Sequence, residues 1–193
     1  MNLNRIGGIF MTILKRFSFY RWCKDDKAVA VVEMALLFPV LISLLMAVYD
    51  LGQGVVVNQK TIAASQVIGD LIARNEIVDT TLIDDIAAAG ELSLAPYDNS
   101  NLSFGYDIIS AEFDQSDEAV VLWRVTDNMT ADDSVLDRAD GLGIEGDGVV
   151  IVSVVYRYEP FFTNFIVDQF DMEEVAFLRG RKSAIVTCSD CCL

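Results

Sequence analysis

The chain has 193 residues, 53% of them hydrophobic, and a net charge of −15. This length suits one folded domain with an added tail or anchor, and the composition is too apolar for a disordered chain and too acidic for nucleic-acid binding. The sequence contains no His, which excludes Ser-His and Cys-His nucleophile pairs and removes the commonest metal ligand. No other catalytic arrangement stands out, so we predict a structural or interaction protein with neither enzyme activity nor a cofactor.

The charge is divided unevenly along the chain. The first 27 residues carry six basic and two acidic side chains, whereas the chain from Asp50 onward carries eight basic and 26 acidic ones. Between these parts lies the run 29–49, VAVVEMALLFPVLISLLMAVY, in which Glu33 is the only charge and Pro39 the only helix breaker. A helix of this length extends over about 31 Å, the thickness of a bilayer hydrocarbon core.

We therefore predict three segments: a cytoplasmic basic leader over 1–28, a transmembrane helix over 29–49, and an α+β domain over 50–193 on the far side of the membrane. The excess of Lys and Arg before the span orients the protein with its N-terminus inside. A cleaved secretory signal peptide is the alternative. The apolar run is longer than the usual signal-peptide core, and no A-x-A site follows it.

Helical spacing of apolar residues resumes beyond the span, from Ile62 to Ile72. Asp70 and Arg74 fall on another face, four residues apart, where they can form an ion pair. We predict one long helix over about 29–74, which is transmembrane at first and amphipathic afterwards.

A second, short helix is predicted from an N-cap at Asp79 to a stop at Gly90. Runs of β-branched and aromatic residues then predict three strands and a possible fourth, at 102–113, 119–126, 149–158 and 184–188. The first two are separated by a hairpin-length connection and should pair antiparallel. The predicted fold class is α+β, with the outer half of the long helix packed on a small antiparallel sheet.

The predicted loop 127–148 is rich in Asp, Glu and Gly. A calcium site is one interpretation, but the ligand spacing of an EF-hand is absent. A solvated acidic loop is the favoured interpretation.

Three cysteines, Cys188, Cys191 and Cys192, lie on the predicted oxidising side of the membrane, where thiols tend to pair. Cys188 and Cys191 have the C-x-x-C spacing, but a redox motif needs a helix after its first Cys, and the sequence shows none there. A metal site would have only three thiolates. We predict one disulfide among the three, one thiol left over, and no metal site.

Glu33 needs an explanation, because a carboxylate inside a membrane span costs about 2.5–3.5 kcal/mol. One interpretation is that it snorkels to the cytoplasmic interface near Lys27. The other is that it faces an ammonium group. Cleavage after Ala28 would create one on Val29, four residues before Glu33 and on the same helix face, and a neighbouring subunit's ammonium would serve as well.

The segment 27–41, KAVAVVEMALLFPVL, resembles the opening of TadE-like proteins, the minor pseudopilins of the tight-adherence (Flp) pilus assembly system. Three further segments are similar to motifs of this family in the expected order: 50–53, DLGQ; 146–162, with the Tyr-x-Tyr-x-Pro ending; and 177–183, FLRGRKS. The resemblance implies a pilin-like fold and a pilus assembly protein or minor pseudopilin. It also implies a single-pass protein of the bacterial inner membrane, whose C-terminal domain lies in the periplasm.

The resemblance further implies processing by a prepilin peptidase between Ala28 and Val29, with Glu33 as the recognition and registry residue at position five of the mature chain. The implied partners are the inner membrane, the peptidase, and other pilus assembly proteins or pilin subunits. Ala28 stands where the family usually has Gly, which leaves slow, absent or shifted processing open.

Two weaker features complete the sequence-based predictions. Arg179, Arg181 and Lys182 form a basic cluster that either docks a partner's carboxylates or balances local charge. The second candidate function is a membrane-anchored periplasmic domain that binds or senses a small ligand without being processed. Its pocket would use five aromatic residues, which in or beside strands are more often core: Trp123, Tyr156, Tyr158, Phe161 and Phe162.

Overall fold

The structure, a computed structural model, describes residues 26–97, 103–162 and 168–191, with side chains described from Val29 in the first helix. The predicted leader up to residue 25 and Cys192 lie outside the described residues. The chain divides into two compact units, one ending at Val48 and the other beginning at Tyr49.

The described part of the first unit is helical and belongs to α1, the helix Asp26–Ala73. Its large apolar side chains are exposed, as shown by Leu36 at 71% and Leu45 at 69%. The helix is long and apolar enough to cross a membrane, and none of its most apolar window is buried in the chain. Pro39 lies inside it, as transmembrane helices tolerate. This exposed apolar surface suggests a single-pass membrane anchor.

In the second unit, the outer half of α1 buries one face. Val57, Ala64, Ile68 and Ile72 are fully buried and recur four or seven residues apart, the spacing of a single helical face. They pack into a core cluster with residues from a second helix and from one face of the sheet. The predicted amphipathic continuation of the helix is thereby confirmed.

Helix α2 is Thr80–Leu92, and the predicted N-cap is confirmed because the Asp79 carboxylate accepts the Leu82 N–H at 2.7 Å. The predicted stop at Gly90 is wrong, since the helix continues for two residues beyond it. Gly90 is buried, and a Cβ there would lie 2.4 Å from Cγ1 of Ile68. This glycine therefore allows α2 to approach α1 closely.

The strands of the main sheet are β2 (Phe104–Phe113), β3 (Ala119–Asp127), β4 (Gly148–Tyr158) and β5 (Phe170–Leu178). Their order is β3-β2-β4-β5, and every neighbouring pair is antiparallel. The predicted α+β class, the three predicted strands and the predicted β2–β3 hairpin are confirmed. A short helix, α3 (Ser134–Asp137), lies in the acidic connection between β3 and β4.

Strand β5 was not predicted from the sequence. Asp171, Glu173 and Glu174 interrupt its apolar pattern, so it does not read as a buried strand. It pairs only with β4 and therefore forms an edge of the sheet, where charged side chains are common.

The possible strand at 184–188 is shorter than predicted. Only β6 (Thr187–Cys188) pairs, in parallel with β1 (Ile77–Val78), just after α1. The Val186 carbonyl instead accepts hydrogen bonds from Ser110 Oγ and Trp123 Nε1, both at 2.8 Å. The end of the described chain is thus held against the core partly by side chains.

Alternate residues of β2 and β4 face opposite sides of the sheet. Val150, Val152 and Val154 join the core under the helices. A second core cluster on the other side holds Ile109, Ala111, Phe113, Val135, Ala139, Val149 and Ile151. The connection that carries α3 therefore covers part of the sheet face that the two long helices leave open.

Replacing Gly148 with alanine is expected to destabilise the protein, because the new Cβ would lie 2.3 Å from the Ala184 backbone oxygen. Overpacking of this kind costs about 1–3 kcal/mol. Gly52→Ala is the matched control. Nothing lies within 4 Å of its Cβ position, and alanine in a helix gains about 0.5–1 kcal/mol over glycine. Urea unfolding of the full chain in detergent should show the two shifts with opposite sign, and an unchanged midpoint for Gly148→Ala would contradict the packing described.

Candidate assembly and anchoring sites

The predicted processing site lies at the beginning of the described chain. The helix begins at Asp26, so the bond between Ala28 and Val29 is already inside it. Val29 is 49% exposed, and Glu33, one turn further on, is exposed as well. None of the side chains that the structure describes, from Val29 onward, forms an ion pair with Glu33. Its carboxylate is therefore available on the outside of an apolar helix.

The basic cluster of Arg179, Arg181 and Lys182 contacts the chain's own carboxylates. The Arg179 guanidinium lies 3.4 Å from Asp147, and Arg181 forms an ion pair with Asp70. Both arginines are well exposed, so each pair contributes only about 0–1 kcal/mol. Among the described residues Lys182 has no ion-pair partner. This geometry agrees with local charge balance, and docking of a partner stays a prediction.

Cys188 and Cys191 form a disulfide with their Cα atoms 5.6 Å apart. Both sulfurs and the Asp190 carboxylate lie within 4.8 Å of one another, but two sulfurs joined in a disulfide are not thiolate ligands for a metal. The residues that follow Cys188 within the described chain form bends and no helix. The surroundings are thus those of a structural crosslink.

The disulfide loop also places Asp190 against α2. Its carboxylate accepts hydrogen bonds from the Thr80 N–H at 2.9 Å and the Thr80 hydroxyl at 2.8 Å. A carboxylate at a helix N-terminus is stabilised by the helix dipole. The tail therefore contributes a second acidic group, beside Asp79, to the N-terminus of α2.

We expect thiol labelling to find Cys188 and Cys191 protected. Protein blocked at lysis and then denatured should incorporate maleimide at these positions only after reduction, as read from peptide masses. The Cys188→Ser variant is the control, since its free Cys191 thiol should react with the blocking reagent at lysis and so take up no maleimide after reduction. Equal labelling of the wild-type peptides before and after reduction would mean that the tail is not crosslinked.

Three carboxylates of the acidic connection take part in separate local bonds. Asp133 pairs with Arg124 at 2.6 Å, Asp140 accepts the Ala119 N–H at 3.1 Å, and Asp132 accepts from Ser134. In the part of the chain that the structure describes, only the Cys188 group brings three possible metal ligands together. The arrangement favours a solvated loop over a calcium site.

The five aromatic residues weighed as a ligand pocket occupy two environments. Trp123, Tyr156 and Tyr158 are buried in the core under the helices. Phe161 is 78% exposed, and Phe162 stacks edge-on against Tyr49 with ring centroids 5.5 Å apart. No aromatic pocket forms from these five.

Two segments that resembled family motifs, 50–53 and 146–162, meet in the fold. The Asp50 carboxylate is buried and accepts the Phe162 N–H at 3.0 Å, and the Tyr158 hydroxyl donates to the Asp50 carbonyl at 3.3 Å. Burial, reinforced by the charge of Asp50, raises the pKa of Tyr158, which keeps the hydroxyl a donor. Sequence reasoning missed this contact because the partners are more than 100 residues apart.

A buried ion pair was also not predicted from the sequence. It lies on the sheet face that carries the second core cluster. Asp107 on β2 is fully buried, and Arg124 on β3 donates to both of its carboxylate oxygens, at 2.9 and 2.6 Å. The Thr126 hydroxyl donates to the same carboxylate at 2.7 Å. These hydrogen bonds from Arg124 to Asp107 raise the pKa of the guanidinium. Both oxygens of the buried Asp107 carboxylate therefore have hydrogen-bond partners, and the ion pair has a structural role.

The N-terminal helix is the part of the chain that matches a known protein family. Residues 28–68 match the family model of TadE-like proteins. The match runs from the predicted processing site through the apolar span to the buried Ile68 of α1. It confirms the family resemblance in this part of the chain, whereas segments 146–162 and 177–183 lie outside the match. No curated protein and no solved structure matches the chain. The TadE-like match indicates a protein associated with the tight-adherence (Tad) pilus.

Proposed function

We propose that this chain is a minor pseudopilin that acts in assembly of the tight-adherence (Flp type IV) pilus. In this proposal residues 29–49 anchor it in the inner membrane and residues 50–193 fold in the periplasm. The observation that carries the proposal is the TadE-like match over residues 28–68, which begins at the predicted cleavage site and includes Glu33.

A prepilin peptidase would cut between Ala28 and Val29 on the cytoplasmic side. The new ammonium on Val29 lies one helical turn before Glu33, and the same pairing can form between neighbouring subunits. Apolar helix faces in lipid do little to fix the axial position of parallel helices, whereas an unpaired charge in a low dielectric is costly. Glu33 would therefore set the register between helices.

The ligand-binding alternative gains no support from the described surface. A groove of about 680 Å³ runs between α1 and β5. Three of its four charged lining residues, Asp70, Arg74 and Arg181, are paired with one another, and the fourth is Glu174. Small-molecule sites are usually mainly apolar with a few free polar groups. The groove lacks that character.

The function is tested by removing the chain from the bacterium that encodes it. We expect surface pili to be lost and to return when the full-length chain is supplied. Normal piliation of the deletion strain would contradict the proposed function. The orientation is tested separately, because protease added to spheroplasts should digest residues 50–193 while a cytoplasmic control stays intact.

A further inference from the structure

Three aromatic residues form one contiguous surface group, here called the aromatic cluster: Tyr49, Phe161 and Phe162. The Phe162 ring lies edge-on to Tyr49, with centroids 5.5 Å apart, and to Phe161, with centroids 4.8 Å apart. Phe161 is 78% exposed and Tyr49 is 51% exposed. The cluster therefore presents a continuous aromatic surface to its surroundings.

Two hydrogen bonds to Asp50, each between a side chain and the backbone, hold the cluster in place. The Phe162 N–H donates to the Asp50 carboxylate, which is only 5% exposed, and the preceding Pro160 is buried. Tyr158 donates to the carbonyl of the same Asp50 from the end of β4. Phe161 is thus presented outward by an anchored turn, although its side chain would be more stable away from water.

The position of the cluster along the chain identifies what covers it. Tyr49 is the last residue of the apolar run 29–49, so the cluster lies where the span leaves the hydrocarbon core. Tyr and Trp are enriched at this depth because their rings are apolar while their polar ends reach water. Phe161 and Phe162 extend the apolar part of this surface beside Tyr49. No gap in sequence separates the span from Asp50, which holds Phe162.

We propose that the aromatic cluster inserts into the interfacial layer of the membrane, beside the point where the helix emerges. The occupant of this surface is lipid, at the boundary between head groups and acyl chains. A second contact with lipid would limit tilting of the domain on the membrane surface. The proposal rests on the membrane anchoring contained in the proposed function, and it assigns a lipid-binding role to residues of the folded domain.

Fluorescence quenching in vesicles tests the proposal with the full-length chain. In a Trp22→Phe background, single tryptophans are introduced by Phe161→Trp, by Ile144→Trp and by Val40→Trp, and Trp123 remains as a buried signal common to all. Ile144 is 67% exposed and lies near the opposite end of β4, where its carbonyl accepts the Asp147 N–H, so it is the matched control outside the membrane. Val40 reports on the span.

The vesicles contain phosphatidylcholine with bromine atoms either near the head group or near the acyl-chain end. We expect Phe161→Trp to lose fluorescence mainly with the shallow bromines, Val40→Trp to lose it with the deep ones, and Ile144→Trp to be unaffected. Quenching at Val40 without quenching at Phe161 would overturn the inference and leave the anchor intact. Absence of quenching at both positions would overturn the anchor itself, and the inference with it.

Discussion

Glu33→Gln is expected to abolish surface pili while leaving membrane insertion intact. The amide removes a charge whose burial in a span costs about 2.5–3.5 kcal/mol, so insertion should become easier. Assembly should fail because the uncharged amide cannot form an ion pair with the ammonium of Val29 on a neighbouring processed chain. Pili are counted by electron microscopy, and insertion is measured by fractionation of membranes.

Two further variants sharpen this test. Glu33→Lys should be at least as damaging as Glu33→Gln, because it places like charges together. Ser43→Ala is the matched control, since it removes an exposed polar group from the same span without changing charge, and it should leave piliation normal. Normal pili with Glu33→Gln would favour a snorkelling carboxylate and remove the registry mechanism.

Arg124→Met is expected to lower the free energy of unfolding by about 3–5 kcal/mol, because it leaves the fully buried carboxylate of Asp107 without its countercharge. Methionine keeps much of the side-chain volume, so the lost charge dominates the effect. Urea unfolding of the full chain in detergent measures the change.

The control for this prediction is Arg74→Met, which removes the same group from a pair in which Arg74 is 58% exposed and Asp70 keeps a second partner in Arg181. An exposed pair contributes about 0–1 kcal/mol, so the unfolding midpoint should move little. Adding Asp107→Asn to Arg124→Met should recover part of the stability, since the uncompensated charge is then removed. Equal effects of the two single arginine substitutions would contradict the assigned role of Asp107.

Local signals in the sequence predicted the elements that depend on local physics. The spacing of apolar residues predicted the outer half of α1, and an acidic residue before a helical pattern predicted the cap at Asp79. Runs of β-branched residues predicted β2, β3 and β4. Each of these elements buries a complete apolar face or satisfies its own terminus, so the pattern is readable without knowledge of the partner.

The elements that were missed or wrongly bounded depend on tertiary partners. Strand β5 is half-exposed at a sheet edge, so its acidic residues conceal it. Gly90 lies inside a helix and does not end it. It is a glycine because Ile68 occupies the space that a side chain there would need. The pairing of Asp107 with Arg124 depends on the register of β2 with β3, which shifts by an irregularity after Ser110. A one-residue shift of register exchanges the two faces of a strand, and the pattern of either strand taken alone does not reveal where the shift occurs.

The candidate site divides in the same way. The TadE-like opening and Glu33 are contiguous in sequence and could be recognised from it. The contact between Asp50 and the turn at Phe162 joins positions 112 residues apart, and it becomes visible only once β4 is placed against α1. The grouping of Tyr49 with Phe161 and Phe162 follows from that contact.

N-terminal sequencing of the protein purified from membranes tests the central claim most directly. Processing as a pseudopilin predicts a mature chain that begins at Val29, with Glu33 as its fifth residue. The same preparation from a strain lacking the prepilin peptidase should retain the residues that precede Val29. A wild-type chain that retains them in a strain with active peptidase would contradict the account.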